Sequence, residues 1–334
     1  MKKVLITGAS GFIGSFLVEE ALNNNYEVFA GIRETSSKQF LQDKRIKFFQ
    51  TSLNNKENLI ESFIEFKKQN GAFDFVIHNA GATKVRRNED FIKINDLYTR
   101  NLIEALIESE CLNEKFIFIS SLSAIGPGDD KSMLPIKESD TPNPVSYYGK
   151  SKLSAEKYLN SLKDFPYLIF RPTGVYGPRE KDYLIFFKTL MNRVEPYIGF
   201  KSQQLSFIYV KDLCRVVLQS PESKYKNKAY FVADGNAYSS LDFAIISKQK
   251  LKVKTIKLYI PLGVARLFAL ISSFFSKLVG GSPTLTNEKI KEISRLNWHC
   301  EIEGIKKDFN FVAEYDLTKG VNETIDWYKK NGWL

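Results

Sequence analysis

Apolar residues recur along the first half of the chain in two alternating patterns. Short apolar runs rich in β-branched and aromatic residues predict strands, and longer stretches with apolar positions three or four residues apart predict helices. The predicted strands cover 4–7, 26–32, 46–49, 73–77 and 116–119, and the predicted helices cover 11–24, 56–70 and 89–110. Strands that alternate with helices form a parallel sheet with helices on both faces, so the pattern predicts a doubly wound α/β fold.

The second half of the chain is less regular. A loop with several Pro and Gly residues, at 126–145, precedes a predicted helix at 147–162 and a predicted strand at 167–171. The apolar run at 228–233 predicts one more strand, which returns to the first sheet. We therefore expect a first domain over 1–175 that regains this strand, and a smaller C-terminal lobe over 176–334.

Composition narrows the class of protein. The chain has 334 residues, of which 43% are hydrophobic and 26% charged, as in a globular protein with a full core. These values exclude a disordered chain, a collagen-like fibre and a disulfide scaffold. The three cysteines are far apart, and the only histidines are His78 and His299. We expect a reducing, cytoplasmic location and no metal site.

The net charge of +10 is concentrated in one part of the chain. Between residues 224 and 277, ten Lys or Arg residues stand against two acids. Lys250, Lys252 and Lys254 alternate there with apolar residues, which predicts the solvent face of a strand. The alternative is a surface that attracts an anionic substrate or a lipid headgroup. We expect no nucleic-acid partner, because no recognition module accompanies the charge.

The most apolar stretch of the second half lies around 258–279. The ten uncharged residues between Arg266 and Lys277 are about half of what a membrane-spanning helix needs. We therefore expect no integral membrane span. The stretch predicts a helix that lines a pocket or a dimer face, and the alternative is a helix lying flat on a membrane.

Three glycines spaced three residues apart join the first predicted strand to the first predicted helix. Gly8 permits a tight turn, Gly11 lets a pyrophosphate approach the backbone, and Gly14 allows the helix to pack closely on the strand. The helix N-terminus adds free N–H groups and the positive end of its dipole. The loop therefore predicts a dinucleotide site, which also includes the intervening residues Ser10, Phe12 and Ile13.

The end of the second predicted strand indicates which dinucleotide binds. NAD sites usually have an acid here for the ribose 2′-OH, but this chain has Ile32 followed by Arg33. A guanidinium suits the 2′-phosphate of NADP, so we predict NADP, with the hydroxyl groups of Ser36 and Ser37 as further donors. The alternative is that Glu34 binds the ribose and that NAD is the cofactor.

A tyrosine and a lysine lie in the first turns of the helix after the long loop. Tyr148 and Lys152 are four residues apart and therefore on one helix face, which places an ammonium near the phenol. Beside a cationic nicotinamide this field lowers the tyrosine pKa, so that Tyr148 exchanges a proton with a substrate oxygen. Ser121, at the carboxyl end of the fifth strand, is predicted to bond that oxygen, and Ser123 is a further candidate for contact with substrate.

The motifs together resemble one family. TGASGFIG at 7–14, HNAG at 78–81, ISS at 119–121, YYGKSK at 147–152, RPTGVYGPR at 171–179 and FIYVKDL at 207–213 resemble the extended short-chain dehydrogenase/reductases, which include the NAD-dependent epimerase/dehydratase family. The resemblance implies a Rossmann-type sheet, an NADP-binding domain over 1–175, a mainly substrate-binding lobe over 176–334, and a homodimer. It also implies a catalytic set of Ser121, Tyr148 and Lys152.

Further roles follow from the same resemblance. His78 is expected to be structural, and Asn95 matches a position that steadies the active-site strand. Ser52 stands where the family usually has an acid that bonds adenine, so this contact is expected from the backbone alone. The implied cofactor contacts beyond the glycine loop and Arg33 are Ser52, Leu53, Ala80, Gly81, Thr83, Ser120, Tyr148, Lys152, Pro172, Thr173 and Val175.

Three functions remain open from the sequence. The Ile32–Arg33 strand end and the apolar 258–279 segment favour an NADP(H)-dependent reductase or dehydrogenase that acts on a fairly apolar small-molecule carbonyl or secondary alcohol. The first alternative is a sugar-nucleotide epimerase or dehydratase, in which Arg179 and the basic stretch hold a diphosphate. The second is a dinucleotide-binding sensor or assembly partner without turnover, which the intact Ser, Tyr and Lys set disfavours.

Overall fold

The computed structural model describes residues 1–268 and 287–334. Both ranges contain strands and helices. The strands are β1 (Lys3–Thr7), β2 (Glu27–Ile32), β3 (Lys47–Gln50), β4 (Phe73–His78), β5 (Leu112–Ile119), β6 (Tyr167–Pro172), β7 (Gly174–Tyr176), β8 (Val194–Ile198), β9 (Gln204–Leu205), β10 (Phe207–Tyr209), β11 (Lys228–Val232), β12 (Tyr238–Ser239), β13 (Ile256–Ile260) and β14 (Asn297–Trp298). The helices are α1 (Phe12–Asn23), α2 (Lys56–Asn70), α3 (Glu89–Ile92), α4 (Tyr98–Glu108), α5 (Tyr147–Ser161), α6 (Asp182–Met191), α7 (Val210–Gln219), α8 (Asp242–Leu251), α9 (Asn287–Ile293), α10 (Glu303–Phe309) and α11 (Leu317–Lys330).

A seven-stranded parallel sheet forms the centre of the described structure. Its strand order is β11-β6-β5-β4-β1-β2-β3. Every neighbouring pair is parallel, including β11 with β6. The predicted doubly wound α/β fold is therefore confirmed, and the chain returns to this sheet where the pattern at 228–233 predicts it. The division of the chain at residue 175 stays a prediction.

The two faces of the sheet are buried by different helices. Alternate residues of β1 show this, because Val4 and Ile6 belong to the core beneath α1 and α7, whereas Leu5 belongs to the core beneath α2, α4 and α5. The inner strands β1 and β6 are buried almost throughout, as expected for a parallel sheet with both faces covered, whereas the edge strand β3 is mostly exposed. This rigid frame brings the carboxyl ends of all seven strands to one edge.

Residues after β6 build small sheets beside that edge. β7 pairs with β10, β9 pairs with β12 and β14, and β8 pairs with β13. An aromatic cluster that includes Tyr176, Phe207, Phe243 and Tyr328 packs α6, α8 and α11 together. No helix within the described residues is both long and apolar enough to span a bilayer.

The prediction for the basic stretch is wrong, and the prediction for the apolar stretch lies partly outside the described residues. The strand predicted from Lys250, Lys252 and Lys254 is wrong, because α8 extends to Leu251 and Lys252 has a left-handed φ of 57°. Phe243, Ala244 and Ser247 are buried at helical spacing, and this longer pattern outweighs a five-residue alternation. Of the helix predicted around 258–279, residues 258–260 lie in β13, 262–268 are helical, and residues 269–279 lie outside the described residues.

Candidate active site

The predicted site residues follow four neighbouring strands at the carboxyl edge of the sheet. The glycine loop follows β1, Ala80 and Gly81 follow β4, Ser120 and Ser121 follow β5, and Thr173 follows β6. Ligands of open α/β sheets bind at this edge, near the point where the strand order reverses. Here the reversal lies between β4 and β1, directly under the glycine loop.

The glycine loop has the geometry of a phosphate cradle. Gly8 has a φ of +67°, and a Cβ there would lie 2.8 Å from the backbone nitrogen of Ala80. A Cβ on Gly14 would lie 2.0 Å from the carbonyl oxygen of Gly8, so neither position accepts a side chain without distortion. Gly11 precedes α1, no side chain caps that helix, and its first turn holds no acid. The exposed N–H groups therefore fit the pyrophosphate of a dinucleotide.

The residues expected near the adenosine are spread along the edge of β2 and β3. Arg33 is exposed directly after β2, and its N–H donates to Ser36 Oγ at 3.0 Å. In residues 1–268 and 287–334 no carboxylate forms an ion pair with Arg33. Ser52 is also exposed, whereas the carbonyl oxygen of Leu53 accepts a bond from Asn101 Nδ2 at 2.9 Å. The strand end therefore presents an unpaired cation and no acid at its terminal residue.

Ser121, Tyr148 and Lys152 meet in the structure as the spacing predicts. The Tyr148 hydroxyl is hydrogen-bonded to Ser121, and the next turn of α5 holds Lys152. Lys152 is buried, and its Nζ donates to the carbonyl oxygen of Ile119 at 2.8 Å. Ile119, the last residue of β5, therefore contacts Lys152, and Ser121, two residues later, contacts Tyr148.

Burial dominates the protonation of this pair. It raises the pKa of Tyr148 to about 12, although the hydrogen bond to Ser121 acts in the opposite direction and Glu292 adds a small increase. Burial also lowers the pKa of Lys152 to about 8, against the stabilising charge of Glu156. The pKa of Tyr148 is therefore raised in the protein alone, and not lowered. The lowered pKa that the sequence predicts requires the positive charge of an oxidised nicotinamide beside the phenol.

Asn95 holds the loop after β4 against α5. It lies in a π-helical segment (Lys93–Leu97) that interrupts the long helix predicted over 89–110. Asn95 Oδ1 accepts the N–H of Ala82 at 2.7 Å, and its Nδ2 donates to Ser151 Oγ at 3.0 Å. A Cβ on Gly81 would lie 3.0 Å from Asn95 Oδ1 and 3.4 Å from Lys152 Nζ. The tight contact with Asn95 is the structural reason for glycine at this position.

His78 lies below the site as a structural residue. Its Nδ1 and Nε2 are hydrogen-bonded to the hydroxyl groups of Thr7 and Thr99, at 2.7 and 2.9 Å. Burial, with a further contribution from the charge of Lys152, lowers the pKa of His78 to about 3. The imidazole is therefore neutral and links β1 and β4 to the helix that contains Thr99.

A buried ion pair beneath Ser121 was missed by the sequence analysis. Arg171 on β6 donates from Nη2 to Glu156 Oε2 at 2.7 Å and from Nε at 3.1 Å. Ser120 donates to the other carboxylate oxygen, so its hydroxyl faces this pair rather than an expected cofactor. Two features of the sequence could have indicated this pair. Glu156 lies four residues after Lys152 on the same helix face, and Arg171 is a charged residue inside an apolar strand.

A second missed feature lies at the N-terminus of α5. Glu288 accepts the N–H of Tyr147 at 2.9 Å, and Glu292 accepts from the Ser146 hydroxyl at 2.7 Å. Both acids lie on α9, some 140 residues further along the chain, so no local sequence pattern could reveal the contact. They compensate the positive end of the α5 dipole and place a negative charge near Tyr148.

Arg179 does not lie free for a ligand. Its Nη1 and Nη2 donate to Ser15 Oγ at 2.9 Å and to Glu19 Oε1 at 2.6 Å. Its guanidinium carbon also lies 4.3 and 4.6 Å from the ring centroids of Phe16 and Phe40. The structure thus gives Arg179 a packing role between α1 and the segment around Phe40, in place of the expected diphosphate contact.

The remaining predicted site residues have contacts of their own in the described structure. Ser123 lies in the turn Leu122–Ala124, where its N–H donates to Ser121 Oγ at 3.2 Å. Thr173 donates from both its N–H and its hydroxyl to the carbonyl oxygen of Val232. Val175 lies in β7 opposite Ile208. The exposed or half-buried residues that complete the expected cofactor contacts are Ser10, Phe12, Ile13 and Thr83, with Pro172 at the end of β6.

The arrangement can move a proton at a substrate oxygen. Ser121 and Tyr148 present two hydroxyl groups to one point, and burial keeps the Tyr148 phenol protonated, which is the form that donates. A nicotinamide dinucleotide held at the glycine loop would supply or accept a hydride at the adjoining carbon. Fold and site together define a dinucleotide-dependent oxidoreductase or epimerase.

Comparison with known proteins gives the family. Residues 4–233 match the NAD dependent epimerase/dehydratase family, and the chain belongs to it. The chain is similar to a sterol-4-alpha-carboxylate 3-dehydrogenase (decarboxylating) of Dictyostelium discoideum, with 27% identity over 97% of this chain and all of the relative. It is also similar to a UDP-glucose 4-epimerase of Vibrio cholerae, with 28% identity over 80% of this chain and 81% of the relative.

A solved structure agrees with the fold. The UDP-glucose 4-epimerase of Thermotoga maritima, crystallised with UDP-glucose, superposes with a TM-score of 0.78 at 22% sequence identity. The match covers 98% of this chain and 99% of that one. The C-terminal region therefore shares the overall arrangement of an epimerase as well as the central sheet.

Proposed function

We propose that the protein is an NADP(H)-dependent reductase or dehydrogenase that transfers a hydride at a carbonyl or secondary alcohol of a fairly apolar substrate. The proposal rests on Arg33, an exposed cation directly after Ile32, which is the position at which an NAD site usually holds an acid. Ser121 binds the substrate oxygen, and Tyr148 donates or accepts its proton. The phenol of Tyr148 is protonated in the protein alone, which is the form that a reduction requires.

Two further observations favour an apolar substrate. Arg179 is engaged by Ser15 and Glu19 and does not offer its guanidinium to a diphosphate. The ring of Phe91 lies near Tyr148, with the two ring centroids 6.0 Å apart, and offers an apolar contact beside the phenol. A relative of similar length is a dehydrogenase named for a sterol substrate.

Replacing Arg33 by alanine is expected to weaken NADPH binding by about twentyfold, because a charge-assisted bond to the 2′-phosphate contributes roughly 1.5–3 kcal/mol. Affinity for NADH, which lacks this phosphate, should change by less than about twofold on the same reasoning. Titration of protein fluorescence with each dinucleotide measures both values. Lys44→Ala is the matched control, since Lys44 is an exposed cation in the same connection between β2 and β3. Equal affinities for NAD and NADP, unchanged in Arg33→Ala, would contradict the assignment.

A sugar-nucleotide epimerase is the second candidate. A relative named UDP-glucose 4-epimerase has 28% identity with this chain, comparable to that of the sterol dehydrogenase. An epimerase oxidises and reduces the same substrate, so it must regenerate its dinucleotide in place and gains from retaining it. A reductase must exchange the dinucleotide at every turnover. The two functions therefore differ in how firmly the cofactor is held.

Measuring the retained dinucleotide distinguishes these functions. Purified and desalted protein is denatured, and released NAD and NADP are quantified by mass spectrometry. We expect a nearly empty site that binds added NADPH reversibly, and then NADPH oxidation with members of a ketone and aldehyde panel. Near-stoichiometric retained dinucleotide, with turnover of nucleotide sugars, would favour the epimerase. Reversible binding with no turnover of either panel would favour a non-catalytic sensor or assembly partner.

A further inference from the structure

A small sheet outside the active site exposes apolar side chains. β13 pairs with β8 in parallel, with Ile256 opposite Val194 and Leu258 opposite Pro196. Four of the five residues of β13 are exposed in the part of the chain that the structure describes. Ile256 is 78% exposed, and Phe200, just after β8, is 72% exposed. Side chains of this size rarely stand so open in a group on a monomer.

The surface continues into the helical residues that follow β13. Leu267 and Phe268 are 57% and 60% exposed, although Ala265 of the same segment is buried. The segment therefore packs on one side and presents large apolar groups on the other. On the sheet, Tyr259 stacks between Tyr197 and Phe200, with ring centroids 5.4 and 6.1 Å apart.

Cations surround these side chains without acidic partners. Within the part of the chain that the structure describes, no carboxylate pairs with the five exposed cations of this region. Glu195, the acid of β8, is buried and already paired with Lys248 at 2.6 Å. We define the basic-apolar patch as Val194, Phe200, Ile256, Leu258, Leu267 and Phe268, together with the cations Arg193, Lys201, Lys254, Lys257 and Arg266.

We propose that the basic-apolar patch docks the protein on the surface of an anionic lipid bilayer. The apolar side chains would enter the boundary between headgroups and acyl chains, and the cations would bind headgroup phosphates. The protein would lie on the bilayer rather than cross it. This inference goes beyond the proposed reaction and does not depend on it.

The charge of the patch argues against a second copy of the chain as its occupant. A two-fold interface places the same patch on both partners, so these unpaired cations would face one another. Such like charges at an interface cost several kcal/mol, roughly, whereas an anionic surface attracts them all. An acidic protein partner would pair with the cations. It would not explain why so many aliphatic and aromatic side chains are exposed among these cations.

Sedimentation with lipid vesicles tests the proposal. The full chain is mixed with vesicles of phosphatidylcholine containing phosphatidylglycerol, or of phosphatidylcholine alone, at low and high NaCl. We expect binding to the anionic vesicles that is at least about tenfold stronger, and that weakens as salt screens the cations. No binding to anionic vesicles at low salt, or equal binding to both compositions, would overturn the proposal.

Two double variants test the two parts of the patch. Lys254→Gln with Lys257→Gln should lower the vesicle partition coefficient by about tenfold or more, given roughly fivefold per cation near such a surface. Ile256→Thr with Leu258→Thr should lower it by a similar factor of about ten, because threonine suits a strand but buries less apolar area. The matched controls are Lys163→Gln with Lys226→Gln, and Leu134→Thr with Val312→Thr, which alter exposed residues elsewhere.

Folding and association are measured on the same samples. Unchanged thermal unfolding and NADPH binding in the variants would show that a lost vesicle affinity comes from the surface and not from misfolding. Analytical ultracentrifugation reports the oligomeric state without lipid. If Ile256→Thr with Leu258→Thr converts a dimer to monomers, a second copy covers the patch and the proposal is wrong. The proposal is equally wrong if the controls lose vesicle binding as strongly as the patch variants.

Discussion

Replacing Tyr148 by phenylalanine is expected to lower kcat/KM by about a thousandfold, within the range that a positioned general acid or base contributes. The change removes one hydroxyl, the group that is hydrogen-bonded to Ser121 and that would exchange a proton with the substrate oxygen in the proposed reaction. The ring stays in place against Phe91, so the pocket keeps its shape. NADPH affinity should change by less than about twofold, because the phosphates are held by the glycine loop. Steady-state NADPH oxidation and fluorescence titration measure the two quantities.

Tyr147→Phe is the matched control for this prediction. Tyr147 is the preceding residue on the same helix, but its side chain is 39% exposed. The control should retain activity and affinity close to those of the unaltered protein. Activity that survives in Tyr148→Phe would contradict the catalytic assignment. A loss of NADPH affinity as large as the loss of activity would instead assign Tyr148 to cofactor binding or to folding.

The fold could be predicted from the sequence because its signals are local and repeated. The helix predicted at 56–70 has those limits in the structure, where Asn55 caps its first turn and Gly71 follows its end. Each predicted strand of the sheet is a short apolar run between turn residues, so its position follows from its length and from the residues that flank it. The rules for parallel connections reduce the possible strand orders to a few.

The candidate site could be predicted only where a motif places its residues within a few positions of one another. Tyr148 and Lys152 are four residues apart on one face of α5. Gly8, Gly11 and Gly14 lie within seven residues of one another, at the loop between β1 and α1 and the start of that helix. The contacts of Glu288 and Glu292 with the start of α5 join parts of the chain that are distant in sequence, and no periodicity encodes them. The left-handed Lys252 was missed because five alternating residues satisfy either a strand or a helix end.

Replacing Arg171 by methionine is expected to lower the free energy of unfolding by about 3–5 kcal/mol, the usual effect of removing one partner of a buried ion pair. The carboxylate of Glu156 is fully buried, and the side chain of Arg171 is 9% exposed. Without the guanidinium, Ser120 is the remaining hydrogen-bond donor that the described structure gives to this carboxylate. Methionine fills a similar volume, so the loss reports the unpaired charge and not a cavity. Urea unfolding followed by circular dichroism measures it.

A second substitution separates charge from packing. Glu156→Gln added to Arg171→Met removes both charges and should recover a large part of the lost stability, since well-packed uncharged groups often replace a buried pair without net cost. Arg45→Met is the matched control, because Arg45 pairs with Asp43 at the surface with its side chain 60% exposed, and should cost at most about 1 kcal/mol. If Arg171→Met costs no more than Arg45→Met, the pair does not support β6 and α5. In that case the β5 backbone alone would position Ser121, which follows Ser120 directly.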